Sequence, residues 1–229
     1  MVVGIPVEWA DLIDPMVPQI LNLVIDSWES MPSPASDEKE DDITISLSRL
    51  LKQNKAARGL PFRINIQRFE LEPLAGEELG RQDIVFEPLH PCEEIYFCLE
   101  SKRLNVVKDG KTRTYASEYV THGMLRFVTG QYSKAVRHGG MVGYVLDGNV
   151  ATAIDNVEDN IRRQHAALGM NSPGELLPSA VLAGEVRARE SHHQRTHQTE
   201  LFRIHHLFMA GRALANDLEK PAAQSEQVV

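Results

Sequence analysis

Gln82–Asp83–Ile84–Val85–Phe86 and, after a turn, Ile95–Tyr96–Phe97–Cys98–Leu99–Glu100–Ser101–Lys102 decide how this chain is read. Both are short runs of aromatic and branched residues, the pattern of strands, and the second ends in a carboxylate and an ammonium. Side chains alternate along a strand, so Glu100 and Lys102 share one face and Ser101 points to the other. Asp83 opens the first strand, and a tight antiparallel connection through Glu87–Pro88–Leu89–His90–Pro91 would bring its carboxylate close to Glu100. Two carboxylates that close repel each other unless a divalent cation lies between them.

Working outward, Phe62 to Leu71 alternates apolar and polar residues and should form a meander with the two motif strands. Glu72–Gly80, with Pro73 and Gly76, is then a loop near the site. In the third strand Tyr96, Cys98, Glu100 and Lys102 share one face, and Ile95, Phe97 and Leu99 the other. A strand apolar on both faces that ends in charges is central in its sheet, with the charges emerging at a cleft. Ahead of the meander, Ser36 to Lys55 reads as a helix with Ser36 as cap, acids in its first turn, and Ile43, Leu47, Leu50 and Leu51 on one side. Behind it, Arg103–Thr112 contains Asp109–Gly110 and reads as an exposed turn. Ala116 to Arg137 follows as a long helix, then Gly140–Leu146 as a strand. Such a crossover makes a parallel strand pair of right-handed connection.

Aspartate, strand, glutamate, one residue, lysine, followed by a crossover helix and strand, resembles the PD-(D/E)xK nuclease superfamily over about residues 38–146. Gln82 stands where the proline of the motif's name would be. The resemblance implies an α/β restriction-endonuclease-like fold: a mixed β-sheet flanked by helices. It implies Asp83, Glu100 and Lys102 as catalytic residues, with Asp83, Glu100 and the Ser101 carbonyl holding Mg²⁺ or Mn²⁺. Hard oxygen donors suit those ions better than zinc. The superfamily commonly places an acid on the helix before the sheet, which makes Asp42, Asp41 or Glu38 a further candidate ligand. Carboxylates at a helix amino terminus also favour its dipole with no metal involved. The implied activity is metal-dependent phosphodiester cleavage, most simply of DNA, in a bacterial restriction or anti-phage defence setting. RNA as substrate differs only in the strand cut. The rival is a non-catalytic subunit that keeps the nuclease fold to dock nucleic acid or a partner protein.

The formal charge of −8 runs against a nucleic-acid partner until its distribution is followed. Up to Asp42 the chain is acidic, with Lys39 alone opposing ten carboxylates, whereas Ser101 to Gly140 carries Lys102, Arg103, Lys108, Lys111, Arg113, Arg126, Lys134 and Arg137 against Asp109 and Glu118. Arg103, Arg126, Lys134 and Arg137 are the candidates for contact with nucleic acid; solvated faces of a hairpin and a helix would give the same pattern. With no base-reading module and a negative total, specificity would come from a homo-oligomer or a partner protein.

The remaining segments frame this body. Val7–Ile13 and Met16–Trp28 read as amphipathic helices, making residues 1–35 an amino-terminal helical extension to a nuclease-like body over 36–218. Ala151 to Ala167 is a helix, and Ala183–Ser191 and Leu201–Met209 form a carboxy-terminal β-hairpin around the polar turn His192–Gln198; 219–229 is a polar tail. His192, His193, His197, His205 and His206 lack accompanying cysteines, and neighbours on one strand face opposite ways, so polar strand-edge or phosphate-facing roles fit better than zinc. Gly139, Gly140 and Gly143 precede a strand without a lysine–serine pair, which excludes a phosphate-binding loop. No apolar run approaches the roughly 20 residues a bilayer requires. Without a basic, then apolar leader, and with only Cys92 and Cys98, a reducing cytoplasm is the expected compartment.

Overall fold

The computed structural model describes residues 10–69, 81–89, 94–196 and 198–211. The loop at Glu72–Gly80, the turn around His90–Pro91, Cys92, His197, the tail from Glu219 and the start of the Val7–Ile13 helix lie outside them. Two 3₁₀ turns, Ala10–Leu12 and Asp14–Met16, lead into helix α1 (Val17–Ser30), where Pro18 sits in the first turn and its missing N–H is no loss. Helix α2 (Glu40–Arg58) begins with three acids, ends with Lys55 and Arg58, and stops at Gly59, whose left-handed φ of 61° closes it.

Strands β1 (Phe62–Phe69), β2 (Arg81–Pro88) and β3 (Phe97–Leu104) form the antiparallel meander. A small ribbon of β4 (Val106–Lys108) and β5 (Lys111–Arg113) turns at Asp109–Gly110. Helix α3 (Ala116–Tyr119) continues through a π-helical segment, Val120–Met124, into α4 (Leu125–Val128). Strand β6 (His138–Val145) follows, then α5 (Val150–Gln164), whose Asn149 cap accepts from the Thr152 N–H at 3.1 Å. Strands β7 (Leu177–Pro178), β8 (Ala188–His193) and β9 (Phe202–Ala210) complete the chain.

Among the described residues the main sheet has seven strands in the order β1-β2-β3-β6-β9-β8-β7. β3 and β6 are parallel, as are β6 and β9, while β8 and β9 form the carboxy-terminal hairpin, so the sheet is mixed. The sheet buries both faces. On one, α1 and α2 pack Ile20, Val24, Leu47 and Leu51 against Phe86, Phe97, Leu99 and Tyr144; on the other, Tyr119, Phe127, Val157 and Ile161 pack against Cys98, Met141, Phe202 and Phe208. The amino-terminal segment belongs to that first core: Trp28 stacks on Tyr144 with ring centroids 5.3 Å apart and donates Nε1–H to the Ala210 carbonyl at 2.8 Å. No helix among the described residues is long and apolar enough to cross a membrane.

The helix expected over Ala116–Arg137 ends at Val128. Gly130 (φ 83°) and Ser133 (φ 55°) take left-handed conformations that a helix does not allow, and 129–137 becomes a loop. Its turns are pinned from within: buried Arg195 donates to the carbonyls of Ser133 (2.9 Å) and Tyr132 (3.1 Å), and the Ser133 N–H donates to Tyr96 Oη at 2.9 Å.

Candidate active site

The site lies where β2 and β3 part. Their ladder covers only Ile84–Leu99, Val85–Cys98 and Phe86–Phe97, whereas β3 pairs with β6 from Leu99 to Leu104. Beyond Leu99 one edge of β3 therefore has no strand beside it among the described residues, and a buried N–H left unpaired there would cost a hydrogen bond. Two carboxylates take the strand's place. Asp83 Oδ2 accepts from the Ser101 N–H at 2.8 Å, and Glu40 Oε2, from the first turn of α2, accepts from the Arg103 N–H at 3.0 Å. The β1 side is irregular at the same level, since Gln67, which the register places opposite Asp83, has φ 53° and drops out of the pairing.

Glu100 and Lys102 project from β3 on the face opposite Ser101, as the alternation requires. Lys102 Nζ donates to Glu100 Oε1 at 2.8 Å, to Glu40 Oε1 at 3.2 Å and to the Ser101 carbonyl at 2.6 Å. Arg126 from α4 reaches the same Glu100 Oε1 at 2.8 Å and donates to Tyr132 Oη at 2.9 Å, which itself donates to the Arg81 carbonyl. The approach of that helix depends on Gly123 in the π-helical segment. A Cβ there would lie 2.4 Å from the Met141 methyl and 3.8 Å from Lys102 Cγ. π-Helical turns commonly mark functional sites, and this one sets the register that carries Arg126 onto Glu100. Behind the site, Tyr144 Oη donates to Ser101 Oγ at 3.1 Å and lies 3.1 Å from Thr44 Oγ1, joining β6, β3 and α2.

The electrostatics are those of acids short of counter-charge. Burial pushes the Glu100 carboxyl up to about 7 despite Lys102 and Arg126, with Asp83 adding repulsion. Burial also raises Asp83, against the pull of Lys102 and the Ser101 N–H. Lys102 loses from burial, but Glu100, Glu40 and Asp83 more than offset this and hold its ammonium above the ordinary lysine value. Glu100 Oε2 is buried and has no hydrogen-bond partner among the described residues.

Of the residues singled out in the sequence, Asp83, Glu100, Ser101 and Lys102 meet here, and Arg126 joins them. Asp42 does not: it is exposed on α2, Asp41 pairs with Arg81, and Glu38 accepts from the Ala35 N–H. The helix acid at the site is Glu40. Placing the helix start at Ser36 shifted its first turn, whereas the observed start makes Glu40 the residue that faces β3. Arg103 directs its guanidinium to the carbonyls of Asp37 and Glu38, away from Glu100. Lys134 is exposed on the 129–137 loop. Arg137 is held by Asp11, Asp14 and Glu200, which leaves it no charge to offer a phosphate.

Of the histidines, His193, His205 and His206 are buried within the sheet and are not strand-edge groups, whereas His192 is half-exposed on β8 with Nε2 2.9 Å from Glu190. His206 is fully buried, with Nδ1 2.9 Å from Tyr119 Oη and Nε2 2.8 Å from Ser191 Oγ; Ser191 Oγ lies 2.7 Å from His193 Nε2, whose Nδ1 faces the Leu168 carbonyl at 2.8 Å. His205 points to the opposite face, stacked on His138. Tyr132, Tyr144 and Arg195 had no sequence signal beyond their type.

Among the described residues no set of three or more His, Cys, Asp or Glu side chains converges as metal ligands. The donors of Asp83, Glu100 and the Ser101 carbonyl nevertheless suit a hard cation. Mg²⁺ keeps several waters and takes one or two carboxylates; Glu100 Oε2, without a partner among the described residues, is a donor it would use, and the raised carboxyl groups mark a shortage of positive charge that it would relieve. No protein-family model, no curated protein and no solved structure matches this chain.

Proposed function

We propose that this protein is a metal-dependent nuclease of restriction-endonuclease-like fold that cleaves phosphodiester bonds, most simply in DNA, as an effector in a defence or restriction setting. One observation carries this reading: Asp83, Glu100, Lys102 and the Ser101 carbonyl are gathered at the parting of two strands, with a buried carboxylate oxygen that has no partner among the described residues. Asp83, Glu100 and the Ser101 carbonyl would hold the cation. When bound, Mg²⁺ or Mn²⁺ supplies charge that polarises the phosphodiester and acidity that favours a hydroxide nucleophile.

The chain's own groups do the positioning. Asp83 is fixed by the Ser101 N–H, and Glu40 fixes the strand edge through the Arg103 N–H. Lys102 supplies positive charge, its ammonium resting on the Ser101 carbonyl and on Glu100 Oε1, two of the oxygens that would hold the cation, and Glu40 would keep it at the site if a cation took those oxygens. From there it stabilises charge developing on the phosphate or orients the attacking water. Arg126, partly exposed, holds Glu100 through one guanidinium nitrogen.

A docking subunit without chemistry is favoured by one feature, the absence of three converging acidic or histidine side chains among the described residues. Plasmid cleavage separates the two. The nuclease reading expects Mg²⁺-dependent nicking by the wild type and none by Lys102→Ala or Asp83→Ala; an intact plasmid with wild-type protein at any Mg²⁺ or Mn²⁺ level contradicts it.

A further inference from the structure

The ribbon of β4 and β5 is placed, charged and unpaired in a way that its fold alone does not explain. Its register sets Lys108 opposite Lys111 and Val106 opposite Arg113, so Lys108, Lys111 and Arg113 share one face. Like charges directly opposite each other destabilise a strand pair. Lys108 and Lys111 are both exposed, and neither forms an ion pair among the described residues; Arg113 has only an exposed pair with Glu118, which contributes little.

The ribbon is also tied down. Val107 N–H donates to the Ser36 carbonyl at 3.0 Å and Ser36 Oγ donates to the Val107 carbonyl at 3.3 Å, fixing its outer edge to the segment ahead of α2. Arg113 lies over the Tyr115 ring, 4.2 Å from its centroid, and Arg103 approaches the same ring at 5.5 Å. Arg103 in turn shares Glu40 with Lys102. Contacts therefore run unbroken from the candidate catalytic lysine to the charged face. With two guanidinium groups on Tyr115, the ribbon offers no open aromatic platform on which an unpaired base would stack.

We propose that the Lys108–Lys111–Arg113 face of the β4–β5 ribbon grips the phosphate backbone of a double-stranded nucleic acid and so lays the duplex across the neighbouring Asp83–Glu100–Lys102 centre. This rests on the nuclease reading and adds to it the form of the substrate. The contact is to phosphate alone, without sequence preference, and duplex is favoured over single strand by its denser charge.

The test is anisotropy of a labelled duplex of about 30 base pairs and of its single strand, without divalent cation, against salt, where each phosphate contact contributes about 0.9 to the slope of log K. The full chain carrying K108A/K111A/R113A is compared with a control of equal charge, R49A/K52A/R163A, on exposed helix positions. The ribbon variant should lose about 100-fold in duplex affinity at 0.1 M salt and two to three units of slope, while the control stays within about threefold of wild type. Equal affinity of the two variants, a loss as large on single strand as on duplex, or no duplex binding by wild type overturns the proposal. Plasmid cleavage distinguishes the parts: ribbon-dependent binding without cleavage sinks only the nuclease reading, and cleavage with ribbon-independent binding sinks only this one.

Discussion

Two buried polar clusters of the sheet are built on opposite principles. Around His206 the chain Tyr119–His206–Ser191–His193–Leu168 carbonyl closes on itself: each side-chain polar atom has a partner, and burial keeps His206 neutral and lowers His193 to about 4. Around Glu100 the groups are charged, two acids sit above their ordinary pKa, and one carboxylate oxygen has no partner among the described residues. A closed neutral network costs little to bury and adds rigidity, whereas an open charged one is retained at the expense of stability and is relieved by a ligand. On the proposed reading, the first cluster serves structure and the second chemistry, along a single sheet.

The largest effect should come from the open cluster. On the proposed reading, Asp83→Asn, which weakens the hold on the cation, or Lys102→Ala, which removes the positive charge offered to the phosphate, is expected to lower cleavage by about 1000-fold or more at saturating metal. A comparable loss in Ser191→Ala would erase the distinction. The converse substitutions come next: His206→Ala should cost about 2–4 kcal/mol of stability, by leaving Tyr119 and Ser191 buried without their partner, and leave the rate per folded molecule unchanged. Urea unfolding and cleavage on the same preparation check both halves.

A pH dependence sharpens the contrast. Glu100 has a folded pKa of about 7, above its value in the unfolded chain, so its favourable contribution is full below about pH 4.5 and is lost as pH rises through 7. Asp83 acts in the same direction. Metal-free protein should lose roughly 2–3 kcal/mol from this source between pH 4.5 and 8, and Glu100→Gln should remove most of that slope. Mg²⁺ should raise the melting temperature more at pH 8 than at pH 5, because the cation requires ionised carboxylates. The smallest effect is expected at Arg126. Arg126→Lys keeps the charge but gives up the reach and fixed direction of the one guanidinium nitrogen that donates to both Glu100 and Tyr132, and should lower cleavage about 10-fold while shifting the acid limb of its pH profile upward.

The meander, the crossover and the carboxy-terminal hairpin were legible in the sequence because their strands follow plain period-two or apolar patterns. That Asp83, Glu100 and Lys102 meet was legible because Glu100 and Lys102 end an apolar strand and Asp83 opens the antiparallel strand before it. What escaped depends on contacts between distant segments. Glu40 was hidden by a helix start four residues off, Arg137 by carboxylates at Asp11, Asp14 and Glu200 that no local pattern connects to it, and the end of α4 at Val128 by left-handed residues at Gly130 and Ser133. Ser133 in particular has no intrinsic preference for that conformation. Its neighbours hold it there through Arg195 and Tyr96.

The most direct test is anomalous scattering from a crystal grown or soaked with Mn²⁺. A peak bounded by the Asp83 and Glu100 carboxylates and the Ser101 carbonyl, with the Lys102 ammonium moved off that carbonyl toward Glu40, is the predicted result. No peak there at Mn²⁺ levels that occupy other sites, or one among the histidines of β8 and β9 instead, would contradict the account.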